Sequence, residues 1–141
     1  MASRRSMVTY VLDSSAILRY LHNQAGSDRI AEIIRGHLAG DCDAVISALH
    51  WGEVAGITCK LYGQREVQQV LSRLSALGLR VIAADGDRAV RSALIKVQTG
   101  IPYVDSFGVE LAKGVSGVLV TADFDFKPAS RDVAIEFLPA K

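Results

Sequence analysis

Cysteine is nearly missing from this chain of 141 residues: Cys42 and Cys59 are the only two. They form no CxxC pair and have no neighbouring histidine or cysteine to complete a zinc site. Both are expected to be reduced and structural, as in a cytoplasmic protein. The three histidines, His22, His37 and His50, lack metal-ligand spacing and take no assigned role, although His50 precedes Glu53 by one helical turn and can reach the same cleft. An excess of one charge is missing too. Sixteen Lys and Arg face fifteen Asp and Glu, a formal +1, so net charge does not mark a nucleic-acid binder. Bases such as Arg4, Arg5, Lys60, Arg65, Arg88 and Arg91 are unevenly placed, but solvated helix faces explain most of them. No apolar stretch approaches the length of a membrane span. The start of the chain also lacks the apolar segment and cleavage site of a secretory signal. These absences point to a cytoplasmic protein with no membrane partner.

What is present is an apolar, ordered composition: 50% hydrophobic and 22% charged residues. That excludes a disordered or fibrous chain. The length suits one hydrophobic core, read as a single domain over 7–141 with residues 1–6 as a flexible extension and Met7 as an alternative start. There is no repeat, low-complexity stretch or dividing linker. Short apolar runs at 9–12, 44–47, 79–84, 117–121 and 133–137 alternate with segments of helical period. Ser27 with Asp28 is a candidate cap for a helix carrying Ile30, Ile33, Ile34 and Leu38, and Asp85 or Asp87 for a later one. Segments 47–63 and 64–77 read as a helical hairpin broken at Gly63. Alternating strands and helices predict an α/β fold with a mostly parallel sheet covered on both faces.

Four carboxylates stand in apolar surroundings: Asp13 in Val-Leu-Asp-Ser-Ser, Glu53 in Trp-Gly-Glu-Val, Asp105 in Tyr-Val-Asp-Ser-Phe and Asp123 in Val-Thr-Ala-Asp. Asp13 and Asp123 follow directly on strands, where open parallel sheets place their ligand crevice. Glu53 lies on a helical stripe with Val54, Ile57 and Leu61, and Asp105 in a first helical turn, where the dipole favours an anion. Each alone has a structural explanation as a cap or the partner of a buried arginine. Together they are harder to dismiss. Two unit charges about 4 Å apart repel by roughly 4 kcal/mol at an effective dielectric near 20. Converging carboxylates must therefore bind cations or take up protons. Oxygen ligands without His or Cys select Mg²⁺ or Mn²⁺ over zinc.

These segments, with Tyr-Val-Asp-Ser-Phe-Gly-Val-Glu-Leu-Ala and Leu-Val-Thr-Ala-Asp in order, resemble the PIN domain. Their spacing is similar to that of the small VapC-type toxins of type II toxin-antitoxin pairs, over essentially the whole chain after Met7. The resemblance implies a PIN-like three-layer α/β/α domain with a helical hairpin. It also implies a divalent-metal-dependent endoribonuclease, neutralised by a cognate antitoxin and forming a homodimer. Asp13, Glu53, Asp105 and Asp123 match the family's acidic constellation, with Asp13, Asp105 and Asp123 as metal ligands. Ser15 and Thr121 match its hydroxyl positions, which would orient ligands, and Asp125 is a possible extra acid. One departure is Asn23 and Gln24, where many relatives carry another acid.

A metal ion so held would neutralise a phosphate and lower the pKa of a bound water. In-line hydrolysis of RNA would then follow, with a 5′-phosphate product implied by the family. Trp51, Tyr62, Tyr103 or Phe124 can stack on bases, though burial is the expected role of most. The apolar stripes through Ile30 to Leu38 and through Ile57 and Leu61 either both face the sheet or leave between them a groove that would suit an amphipathic antitoxin helix. Two other classes compete. An aspartate-based phosphotransfer domain needs a catalytic Lys after a late strand, or Asp-x-Asp at the first; the chain has Asp13-Ser14-Ser15 and a Lys-free 121–123. A non-catalytic scaffold would not need all four acids.

Overall fold

The computed structural model describes residues 7–140, so the expected extension at 1–6 lies outside the described residues, as does Lys141. Five strands, β1 (Val8–Leu12), β2 (Cys42–Ser47), β3 (Arg80–Ile82), β4 (Val118–Thr121) and β5 (Ala134–Phe137), form one sheet in the order β3-β2-β1-β4-β5. Every pairing is parallel. The strands are linked by α1 (Ser14–Leu21), α2 (Ser27–Ala39), the hairpin α3 (Ala48–Tyr62) and α4 (Gln64–Ala76), α5 (Gly86–Thr99) and α6 (Tyr103–Gly114). A 3₁₀ turn, Phe124–Ala129, precedes β5.

The central strands read as continuous apolar runs because both their faces are covered. Successive side chains point to opposite faces: Leu12, Ile46 and Val120 join a core with Ile17, Ile30 and Ile33, while Val11, Val45 and Leu119 join one with Val109, Leu111 and Phe126. Burial of this kind stabilises by about 25 cal/mol per Å² of apolar surface. The expected stripe on α2 meets the first core through Ile30, Ile33 and Ile34, but Leu38 is exposed.

Local signals set the helix starts, with one correction. Asp13, Ser47 and Asp85 each cap their helix by accepting a backbone N–H, from Ala16, Leu49 and Arg88. For α2 the expected Ser27 cap is not made; Gly26, with φ +90°, is the N-cap, and the Ser27 hydroxyl donates to Asn23 instead. Gly26 suits the place because a left-handed backbone favours glycine and an added Cβ would meet the Leu138 side chain at 3.0 Å. His37 ties α2 to the sheet: its Nδ1 accepts from the Ala44 N–H at 3.1 Å and its Nε2 donates to the Gly78 carbonyl at 2.8 Å.

Strand order places the chemistry. The chain leaves β1 toward β2 and β3, then returns to the other side of β1 as β4 and β5. The order therefore reverses between β1 and β4, and a ligand crevice is expected outside their carboxyl ends. Asp13 follows β1 there, and Thr121 ends β4.

Candidate active site

Asp13 is only 2% exposed. Its Oδ1 accepts from the Ser15 hydroxyl at 2.7 Å and the Ala16 N–H at 2.9 Å, and its Oδ2 from the Thr121 hydroxyl at 2.6 Å. Ser15 and Thr121 in turn accept from the backbone N–H groups of Ala122 and Asp123, both at 2.9 Å. Each hydroxyl has one proton to give, and both protons go to Asp13, so the loop after β4 is stitched to the first acid. Two donors saturate Oδ1, which leaves an open lone pair on Oδ2. Burial pushes the Asp13 carboxyl up, partly opposed by the neighbouring His50 ring and by the donors Thr121, Ala16 and Ser15.

Glu53 and Asp105 meet across α3 and α6. The Ser14 hydroxyl, next to Asp13 in the chain, donates to Glu53 Oε1 at 2.8 Å. His50 Nε2 lies 3.2 Å from Asp105 Oδ1 and 3.9 Å from Glu53 Oε1. His50, Glu53 and Asp105 offer ligand atoms that all lie within 4.8 Å of one another. Asp105 sits in the first turn of α6 as expected. Among the described residues no Lys or Arg forms an ion pair with Asp13, Glu53, Asp105 or Asp123; Arg29, Arg88 and Arg91 pair elsewhere.

Asp123 stands apart from that trio. Its backbone is tied to Thr121, while its carboxylate caps the 3₁₀ turn by accepting the Asp125 N–H at 2.9 Å. Asp125 is exposed in the first turn of that element. Three carboxylates are therefore held by side-chain partners, Asp13 by Thr121 and Ser15, Glu53 by Ser14, and Asp105 by His50, with Asp123 joined through its main chain. His50 was given no role from sequence; the signal for it was the three-residue spacing to Glu53. The donor set, carboxylates with one open Asp13 lone pair and no competing cation, fits a hard divalent ion.

The surroundings differ from expectation in two respects. Ile57 and Leu61 do not continue the core stripe of Val54; both are exposed. With Leu18 and His22 they line a groove that opens beside Ser15. Of the four aromatics, Trp51 packs against the first core, while Tyr62, Tyr103 and Phe124 are exposed. Phe124 stacks on Phe137 with ring centroids 5.3 Å apart, directly after Asp123.

The sequence model of the PIN domain matches residues 10–131. The chain belongs to the PIN domain family. Solved structures sharing this PIN fold include DNA-bound VapBC from Salmonella typhimurium (TM-score 0.71, 17% identity, 93% of this chain and 98% of that one). FitAcB from Neisseria gonorrhoeae matches with TM-score 0.67 and 24% identity over 89% of this chain and 95% of that one. VapC20 from Mycobacterium tuberculosis, described as a sarcin-ricin loop cleaving toxin, matches with TM-score 0.65 and 15% identity over 92% and 99%. No curated protein matches this PIN domain. No helix among the described residues is long and apolar enough to cross a membrane.

Proposed function

We propose that this PIN domain is a divalent-metal-dependent endoribonuclease and the toxin of a toxin-antitoxin pair. The observation that carries the reading is Asp13. It is a buried carboxylate at the point where the strand order reverses, held only by neutral donors and linked through Ser14 to the Glu53, Asp105 and His50 cluster. Such a carboxylate favours a cation or a proton. Asp13, Asp105 and Asp123 would hold Mg²⁺ or Mn²⁺, and Ser15 and Thr121 would fix the Asp13 oxygens. The bound ion supplies charge neutralisation and a water of lowered pKa. Glu53, half-exposed and braced by Ser14, would orient the attacking water and take its proton, and Asp125 adds negative charge at the cleft rim. The products would be a 5′-phosphate and a 3′-hydroxyl.

Exposed Phe124, beside Asp123, offers a single-stranded RNA a stacking surface. The groove along Leu18, His22, Ile57 and Leu61 suits the apolar face of an antitoxin helix, in keeping with the toxin-antitoxin complexes that share the fold. Val90, Leu94 and Val97 form an exposed apolar stripe on α5, which supports the expected homodimer.

The test is cleavage of mixed cellular RNA by purified protein freed of any bound partner, with Mn²⁺ or Mg²⁺, using EDTA and Asp105→Asn as controls. Cleavage that requires the ion and the carboxylate is the expected result. Equal behaviour of wild type and variant, with no Mn²⁺ bound in calorimetry, would replace this reading with a scaffold.

A further inference from the structure

Two helices face each other across the site with the same spacing. His50 and Glu53 are three apart on α3, and Asp105 and Gly108 are three apart on α6; residues so placed share a helix face. His50 is wholly buried. Its Nε2 points at Asp105 Oδ1, while its Nδ1 has no hydrogen-bond partner among the described residues. The ring occupies space that only glycine leaves open. A Cβ on Gly108 would lie 2.9 Å from His50 Cε1 and 3.4 Å from its Nδ1 and from Leu119 Cδ1. Glycine inside a helix forfeits about 1 kcal/mol against alanine, so its place in α6 is explained by the imidazole it admits.

The orphaned nitrogen decides between two roles. A neutral imidazole carries one N–H. Were the Nε2 lone pair turned to a cation, the proton would sit on Nδ1, a buried donor with no acceptor, which folded proteins rarely tolerate. With the proton on Nε2, the donor is satisfied by Asp105 and only a bare lone pair is left over. We propose that His50 is a positioning residue: it donates from Nε2 to Asp105 Oδ1, which leaves Asp105 Oδ2, free of hydrogen bonds among the described residues, to meet a divalent cation in one fixed orientation. The inference rests on the metal-dependent reading above and adds to it a residue outside the acidic set.

The experiment is calorimetric titration of the full chain with Mn²⁺ and with Mg²⁺, for wild type, His50→Gln, His50→Leu and Gly108→Ala, each checked for folding by thermal unfolding. The Gln side chain carries an N–H that can replace Nε2, whereas Leu has none. Outer partners of metal ligands typically set affinity by about 10–100-fold. His50→Leu is expected to weaken both ions by that factor and in equal proportion, His50→Gln to recover most of the loss, and Gly108→Ala to weaken binding by displacing the ring. Pulsed EPR of Mn²⁺-loaded wild type is expected to show no directly bound nitrogen. Unchanged affinity in folded His50→Leu, a Gln variant as weak as Leu, or nitrogen coupling to the ion overturns the proposal. Should His50→Leu fail to fold, wild-type affinity in Gly108→Ala overturns it. A wild type that binds neither ion sinks the metal-dependent reading itself, and the positioning role with it.

Discussion

Asp13 and Glu110 are almost equally buried, 2% and 4% exposed, yet their surroundings are opposite. Glu110, on α6, accepts from Arg88 Nη1 at 2.8 Å and Arg91 Nε at 2.9 Å, so two cations from α5 neutralise it. Asp13 accepts from two hydroxyls and one backbone N–H, all neutral. Glu110 is complete and holds two helices together. Asp13 is hydrogen-bonded but not neutralised, and burial pushes its carboxyl up. Burial alone therefore does not identify a functional acid; burial without a cation does.

The comparison can be broken most strongly at the site. Asp13→Asn or Asp105→Asn is expected to lower metal-dependent RNA cleavage on the order of 1000-fold, the scale of removing one preorganised electrostatic group, with the fold intact by circular dichroism. Glu110→Gln should leave cleavage within a few-fold. The next effect lies on the other side. Arg88→Ala combined with Arg91→Ala strands a buried charge and is expected to reduce unfolding free energy in urea. Glu110→Gln should reduce it less, because both arginines reach solvent.

The pH dependence sharpens the contrast. The Asp13 pKa is raised in the folded state, so its contribution to stability is fully present below its unfolded value near 3.9 and is lost as pH rises through the raised value. Without metal, Asp13→Asn is expected to be more stable than wild type at pH 7, with the difference shrinking as the pH falls. Thermal unfolding across that range checks the sign; a variant less stable at pH 7 would contradict it. Added Mn²⁺ should stabilise wild type and leave Asp105→Asn nearly unmoved. The smallest effect concerns association: Leu94→Glu in the exposed stripe of α5 should weaken a homodimer by about 1–2 kcal/mol, read by sedimentation.

Much of this was legible in sequence. Apolar runs of strand length alternating with helical periods define the parallel sheet, and Asp13 and Asp85 announce their helices as caps. The hydroxyls Ser15 and Thr121 were identified by resemblance, and both donate to Asp13. Other features depend on contacts between distant segments. His50 meets Asp105 across 55 positions of chain, and the seat for its ring is an absent side chain at Gly108. Glu110, between Val109 and Leu111, stands in surroundings at least as apolar as those of Asp105, so only the packing of α5 on α6 reveals its arginines. The exposure of Ile57 and Leu61 likewise depends on how the α3 and α4 hairpin sits, since Leu74 is the buried residue of α4. The start of α2 turns on the backbone of Gly26 rather than on Ser27, which periodicity does not register.

The most direct measurement is anomalous scattering from crystals of the protein soaked in Mn²⁺. A strong peak bonded to Asp13 Oδ2 and Asp105, within reach of Asp123 or Glu53, is expected, with no peak at Glu110. Manganese found only on exposed acids such as Asp85 and Asp87, with the Asp13 oxygens still held by Ser15, Ala16 and Thr121 alone, would contradict it.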